Sequence, residues 1–274
     1  MARSPNDDVT VVITCFNYGA YLPEAVESVR RQEGGPARVV VVDDGSTEAA
    51  TLAALDDAQR EPGVEVIHQA NSGTAAARNT GLRRLTTPYA AVLDADDVLP
   101  PGALRAMLPA LQSDSQLGYV YGHIQFFGQW SGTMRMPPFD PWRLLFRHII
   151  GPTALMRREV FEAVGGYDPV FHYEDWEFWV HALASGWSGR QLGVPCLLHR
   201  KHGTSKFSSD RPNYHEDFAN LRIKHRPLYG ELSRVERESK LGPAERFLYR
   251  RIWGPRPWPA RAETTLYSLL WRPR

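Results

Sequence analysis

Cysteine is scarce in this chain of 274 residues, and long apolar runs are missing altogether. The two cysteines, Cys15 and Cys196, sit inside apolar stretches (Val-Val-Ile-Thr-Cys-Phe and Val-Pro-Cys-Leu-Leu), where a free thiol behaves as a small hydrophobe. A disulfide scaffold is therefore unexpected, and a reducing compartment is favoured. No run approaches the roughly 18 apolar residues of a membrane span. Met1–Asp8 shows no charged region followed by an apolar one, so no signal peptide is expected and a cytoplasmic location is. No Gly-x-Gly-x-x-Gly follows a strand-like run, which argues against a dinucleotide-dependent oxidoreductase. The first loop, Phe16-Asn17-Tyr18-Gly19, carries a single glycine, too few for the phosphate loop a sugar nucleotidyltransferase would want. What remains is an ordinary globular composition, 43% hydrophobic and 23% charged, with enough apolar material for a sizeable core.

Net charge is only +1, but it is unevenly spread. Residues 1–200 hold 16 Lys and Arg against 23 Asp and Glu, whereas 201–274 hold 16 against 8. An acidic front suits a bound divalent cation. The basic, Trp-bearing tail suits an anionic lipid, an anionic polymer or a protein partner, or is simply a solvated face. No nucleic acid partner is expected. Glu245–Gly254 has a basic amphipathic pattern, with Phe247, Leu248, Ile252 and Trp253 among Arg246, Arg250 and Arg251. Such a segment can lie at the inner face of a membrane, or dock on the rest of the chain or a second subunit.

From Val9 to about Val98, short β-branched runs alternate with helix-length amphipathic segments, which predicts βαβ units around a mostly parallel sheet flanked by helices. Strands are expected at Val9–Cys15, Arg38–Val42, Val64–His68 and Tyr89–Leu93. Helices are expected near Tyr21–Gln32, Thr47–Arg60 (with Ser46 a candidate cap), Gly73–Leu85 and Gly102–Gln112. Ligands of such sheets bind outside the carboxyl ends of the strands, so the loops Phe16–Gly19, Asp43–Ser46, Gln69–Ser72 and Asp94–Asp97 should line one crevice. After Leu117–Tyr121 comes a stretch rich in aromatics and proline (Phe126, Phe127, Trp130, Trp142), read as a long loop excursion that can wall an acceptor. An ordered block follows from Ile150 to His202, with helices at Arg158–Val164 and around Glu174–Trp179. The division expected is a catalytic domain over 1–212 (nucleotide-binding part about 9–98, acceptor-side part about 117–205) and a helical, basic extension over 213–274.

The strand before Asp94-Ala95-Asp96-Asp97 delivers three carboxylates to one point, where their repulsion asks for a metal. Mg²⁺ or Mn²⁺ takes few carboxylates plus phosphate oxygens and water, which fits a bound diphosphate. Asp96 or Asp97 can alternatively cap the following helix. Asp43-Asp44-Gly45-Ser46 sets a second carboxylate pair over the same crevice, able to accept bonds from a base or a ribose. A Gly turn with Ser46 as cap is the other reading.

The order of these motifs resembles the inverting family 2 glycosyltransferases of the GT-A fold. The resemblance covers roughly Val9–Ser205. It rests on Thr14-Cys15-Phe16-Asn17 with Tyr21-Leu22, Val42-Asp43-Asp44-Gly45-Ser46, Asn71-Ser72-Gly73 with Ala77-Arg78-Asn79 and Gly81, Leu93-Asp94-Ala95-Asp96-Asp97, Gly165-Gly166-Tyr167-Asp168 and Glu174-Asp175-Trp176-Glu177. It implies transfer of a sugar from a nucleotide diphosphate, with a UDP-sugar the first choice, to a glycan, lipid-linked or small-molecule acceptor, as in cell-surface polysaccharide biosynthesis. Asp44 and the Phe16 loop would hold base and ribose, and Thr14, Asn71, Arg78 and Ala95 would complete the nucleotide site. Asp94 and Asp96 would hold ribose and metal, with His202 in the His199-Arg200-Lys201-His202 segment as a further ligand; His199 competes for that role. Asp175 would be the general base, with Glu174 its alternative. Acidic residues also favour helix N-termini, so the pair can be structural. Trp176 and Trp179 can face a sugar or fill the core. A catalytically inactive binding module of the same fold is the rival of a different class.

Overall fold

Valine-rich runs with helices before and after them are the material of a sheet covered on both faces. In the computed structural model, which describes residues 4–203 and 213–253, strands β1 (Val9–Cys15), β2 (Arg38–Asp43), β3 (Val64–His68) and β4 (Tyr89–Asp94) pair in parallel in the order β3-β2-β1-β4. Every residue of β1 is buried, as a two-sided strand requires. The intervening helices are α1 (Leu22–Arg30), α2 (Ala49–Gln59) and α3 (Thr74–Leu82), and α4 (Ala103–Gln112) follows β4. In α1 the buried residues Leu22, Ala25, Val26 and Val29 recur at helical spacing and form one apolar stripe against the sheet.

The second half extends the sheet. Strand β5 (Leu117–Gly128) turns into β6 (Gly132–Met134); β7 (Leu155–Arg157) is inserted antiparallel between β4 and β5, and β8 (Ser188–Lys201) runs parallel to β5. Phe126 and Phe127 thus belong to a long strand and not to the loop excursion the sequence suggests. Their strand is hard to read because its pairing with β8 shifts register around Tyr121–Ile124, which interrupts simple alternation. Helices α5 (Pro141–Phe146), α6 (Arg158–Val164) and α7 (Glu174–Ala184) complete this half. This is the mostly parallel, helix-flanked α/β arrangement expected of the GT-A fold. The basic extension contributes α8 (Tyr214–Lys224), α9 (Arg226–Gly230), α10 (Leu232–Glu238) and α11 (Pro243–Leu248), then a π-helical turn at Tyr249–Trp253.

One predicted cap is wrong. Ser46 does not cap α2; its backbone N–H donates to Asp43 Oδ1 (3.0 Å) and its hydroxyl accepts from the Asn17 N–H (2.9 Å). The side chain of Asn17 covers the start of α2 instead, its Oδ1 accepting from Thr47 N and Glu48 N. Asn17 does this from φ 56°, a left-handed conformation asparagine tolerates better than most residues. The described part of the tail docks on the chain. Arg143 donates to Glu245 and to the Tyr249 hydroxyl, and Trp142 Nε1 donates to the Arg246 carbonyl. Phe247 is exposed and Tyr249 is buried, whereas residues 254–274 and the side chains of Ile252 and Trp253 lie outside the described residues. No helix among the described residues is long and apolar enough to cross a membrane.

Candidate active site

The parallel register brings the acidic strand ends side by side. Thr14 pairs with Asp94 across β1 and β4, and Cys15 with Asp43 across β1 and β2. Above them opens a cleft of about 370 Å³, lined on one side by the loops after β1, β2 and β4 and on the other by α7 and the end of β8. Of the ten sequence-derived site residues, Thr14, Phe16, Asp44, Arg78, Asp94, Ala95, Asp96, Asp175 and His202 line it; Asn71 does not. The loop Gln69–Ser72 acts indirectly. Asp44 Oδ1 accepts from Gln69 Nε2 (2.7 Å) and Ser72 N (2.8 Å), and its Oδ2 from Gly73 N (2.8 Å), so this carboxylate fastens the loop that starts α3. Three bonds fill three of a carboxylate's roughly four acceptor positions, which leaves one on Oδ2.

Arg78 is 3% exposed and is an internal bridge before it is anything else. Its Nη2 donates to Asp94 Oδ1 (3.0 Å) and its Nη1 to Glu174 Oε1 (2.9 Å), with the guanidinium over the Tyr167 ring. It therefore ties β4 to the first turn of α7. Burial works against the charge, but Asp94 and Glu174 outweigh it and hold the guanidinium firmly protonated. Thr14 Oγ1 also donates to Asp94 (3.1 Å). Both acids at the head of α7 line the cleft: Glu174, which is held by Arg78, and Asp175. Asp175 Oδ1 accepts from Trp176 N (2.9 Å), and its Oδ2 lies 3.2 Å from His148 Nε2.

His148 is the site residue that the sequence did not reveal. It stands in an unpatterned loop after α5, beside the rings of Tyr173 and Trp176, and no spacing connects it to Asp175. The histidines after β8 have divided roles. His202 Nε2 lies 2.8 Å from Asp96 Oδ2, while His199 Nδ1 lies 2.9 Å from both oxygens of Asp97. Asp97 is 1% exposed and also accepts from Arg200 N (2.9 Å), so it caps no helix; it clamps β8 to the end of β4. Burial pushes the Asp97 carboxyl above the usual range and His199 opposes that push. Arg200 donates to the Asp96 carbonyl (2.9 Å) and pairs with Glu24. Burial, and after it Asp96 and Asp94, raise the Tyr18 hydroxyl above its ordinary value. Of the aromatic residues expected to wall an acceptor, Phe126 and Trp130 line the cleft. Phe127 instead lies under the Arg200 guanidinium, and Trp142 packs on Phe146. Trp176 and Trp179 are buried core residues.

Residues 10–165 match the family model described as glycosyl transferase family 2. The chain belongs to that family. It is 33% identical over 114 residues to the uncharacterized glycosyltransferase alr2836 of Nostoc sp., covering 41% of this chain and 35% of that protein. It is 40% identical over 104 residues to the succinoglycan biosynthesis protein ExoO of Rhizobium meliloti, covering 37% and 29%. The matched part thus spans about a third of each of these relatives. Among solved structures, S. aureus TarS 1–349 in complex with UDP-GlcNAc aligns with a TM-score of 0.66 at 18% identity, over 88% of this chain and 70% of that one. The family 2 match ends just before Gly166, so α7, with Asp175, and the histidines after β8 lie beyond it.

Proposed function

We propose that this cleft binds a nucleotide-diphosphate sugar, with a UDP-sugar the first candidate, and transfers the sugar with inversion to a hydroxyl of a glycan, lipid-linked or small-molecule acceptor. The observation that carries this reading is the placement of Asp175 across the cleft from Asp94 and Asp96, with Arg78 fixing the frame between them. The UDP-GlcNAc of the TarS complex supports the choice of donor.

In this reading the bond from the anomeric carbon to the diphosphate oxygen breaks as the bond to the acceptor oxygen forms on the opposite face. The acceptor proton passes to Asp175, and the nucleotide diphosphate departs. Only one carboxylate base is required, which is why Glu174 can serve structure. Asp175 must be ionised to act, and its Oδ2 stands 3.2 Å from His148 Nε2. Asp44 retains one acceptor position for the base or ribose, and Phe16, 44% exposed, offers a ring face beside it. Phe126 and Trp130 give the acceptor an aromatic wall.

A divalent cation fits the donor set at Asp96. A carboxylate and an imidazole converge there, and Asp94 stands two residues before. Asp96 and His202 would hold Mn²⁺ or Mg²⁺, and the ion would neutralise charge growing on the leaving diphosphate.

The test is a panel of nucleotide sugars scored for nucleotide release with Mn²⁺ or Mg²⁺, repeated with Asp175→Asn and Asp96→Ala. Asp175→Asn should keep donor binding while kcat falls by about 10² to 10⁴, the usual worth of a general base. Asp96→Ala should lose metal-dependent donor binding. Transfer by Asp175→Asn at the wild-type rate overturns the base assignment. A folded wild-type protein that turns over no donor in the panel makes the chain a binding module.

A further inference from the structure

A second cluster of ligating side chains lies outside the cleft, where α7 meets the end of α8. Glu177 and His181 are four residues apart on α7 and therefore share a helix face. His225, which follows α8, reaches the same point from the extension. Glu177 Oε1 lies 2.8 Å from His225 Nε2 and 3.7 Å from His181 Nδ1, and the rings of the two histidines are 5.1 Å apart. One ligand atom from each residue fits within a 4.8 Å span. Glu177 is fully buried, and its Oε2 has no hydrogen-bond partner among the described residues. An oxygen withdrawn from water and given no donor in exchange is costly, and a cation is one way to satisfy it.

We propose that Glu177, His181 and His225 form a binding site for a transition-metal ion of the Zn²⁺ type, which staples the C-terminal helices to α7. Two imidazoles and one carboxylate leave a fourth tetrahedral position for water. His181 is 30% exposed at its side chain and gives the ion a way in from solvent. With two imidazoles this set favours Zn²⁺, whereas the carboxylate-led site at Asp96 and His202, completed by phosphate oxygens, suits Mg²⁺ or Mn²⁺. Lys224 Nζ, 2.9 Å from Glu177 Oε1, is the group a metal must displace. Asp168 Oδ2 already holds the same ammonium at 2.7 Å and keeps it paired once Glu177 turns to the ion. The rival occupant is a proton on His225, which would make the cluster a plain buried ion pair.

The test uses the full chain, stripped with a chelator and titrated with ZnCl₂ alone. Bound metal is counted by mass spectrometry, thermal midpoints are recorded, and the imidazole NMR signals of His181 and His225 are followed in the wild type. We expect one Zn²⁺ per chain, retained in Asp96→Ala, with a rise in the melting midpoint and shifts of both imidazoles. His181→Ala should bind at least about tenfold more weakly, since even losses around a metal's ligands cost that much, and should show no zinc-dependent rise. Equal zinc binding by His181→Ala and wild type overturns the proposal, as does loss of the ion in Asp96→Ala. Should His181→Ala fail to fold, the wild-type spectra decide: zinc that leaves both imidazoles unshifted leaves the proton as the occupant.

Discussion

Arg78 shows how one side chain can serve both the fold and the site. It sits between carboxylates from two distant parts of the chain, Asp94 and Glu174; Glu174 is buried with it, whereas Asp94 is 31% exposed at its side chain. Removing one partner of a buried pair is far worse than replacing both, because it strands charge in a poorly solvating interior. Arg78→Ala should therefore lower unfolding free energy by about 3–5 kcal/mol, measured by urea denaturation. Arg78→Lys keeps the charge but cannot span both carboxylates with a planar fork, so it should fall between. A second residue sets a pH response. Burial raises the Asp43 carboxyl, but the bonds from Ser46 and His68 outweigh it and hold the group below its ordinary value. A depressed folded pKa means that the unfolded chain binds more protons, so stability rises with pH through that window. The contribution is present above the unfolded value of about 3.9 and is lost as pH falls through the folded one. Melting midpoints of Asp43→Asn should accordingly depend less on pH below about 4 than those of the wild type.

At the scale of elements, what could be read from the sequence was what local physics alone decides. Strands β1, β2 and β4 are buried almost throughout, so burial alone dictates their apolar runs; β3, at the sheet edge, is only partly buried, yet β1 and β3 both fall where their runs begin and end. The loops after β1, β2 and β4 follow, and most of the acidic site with them. Long-range contacts left no such mark. The pairing of Arg78 with Glu174, separated by 96 residues, the approach of His148 to Asp175 and the clamp of His199 on Asp97 depend on how β7 and β8 insert beside β4 and β5. Asn71 does not line the cleft: its motif is the turn that starts α3, and the amides of Ser72 and Gly73 in that turn donate to Asp44. The glycine that ends the Ala-Arg-Asn-Thr-Gly run is an exception, the imprint of a tertiary contact. A Cβ at Gly81 would stand 2.2 Å from Val12 Cγ1 and 3.1 Å from Val42 Cγ2, so α3 can lie this close to β1 and β2 only without one. Gly81→Ala must push α3 off the sheet, and overpacking of this kind costs about 1–3 kcal/mol. Urea unfolding checks the loss; because α3 also carries Arg78, donor affinity should weaken with it.

For the whole molecule, the basic extension supports the candidate active site as well as being an appendage in charge and sequence. Asp217 of α8 is 1% exposed, and its Oδ2 accepts from the Tyr173 N–H (2.7 Å) while its Oδ1 lies 3.3 Å from His172. That contact falls immediately before Glu174-Asp175, so α8 holds the backbone from which the proposed base projects. Around it, Trp176 stacks between Tyr214 (5.4 Å) and Phe218 (5.7 Å). Charge asymmetry pointed to a separate tail, yet these rings bury the tail's first helix against the catalytic half. Asp217→Ala should therefore act at a distance. Loss of a hydrogen bond to a charged group costs about 1.5–3 kcal/mol, which would appear as a lower melting midpoint. As the first turn of α7 loosens, kcat should drop while donor affinity, which we propose is set at Asp44 and Asp94, changes little. Asp217→Asn retains an acceptor oxygen for the Tyr173 amide and should recover much of both. A fall in donor affinity equal to the fall in kcat would place the effect in general unfolding, and α8 would then have no specific hold on the base.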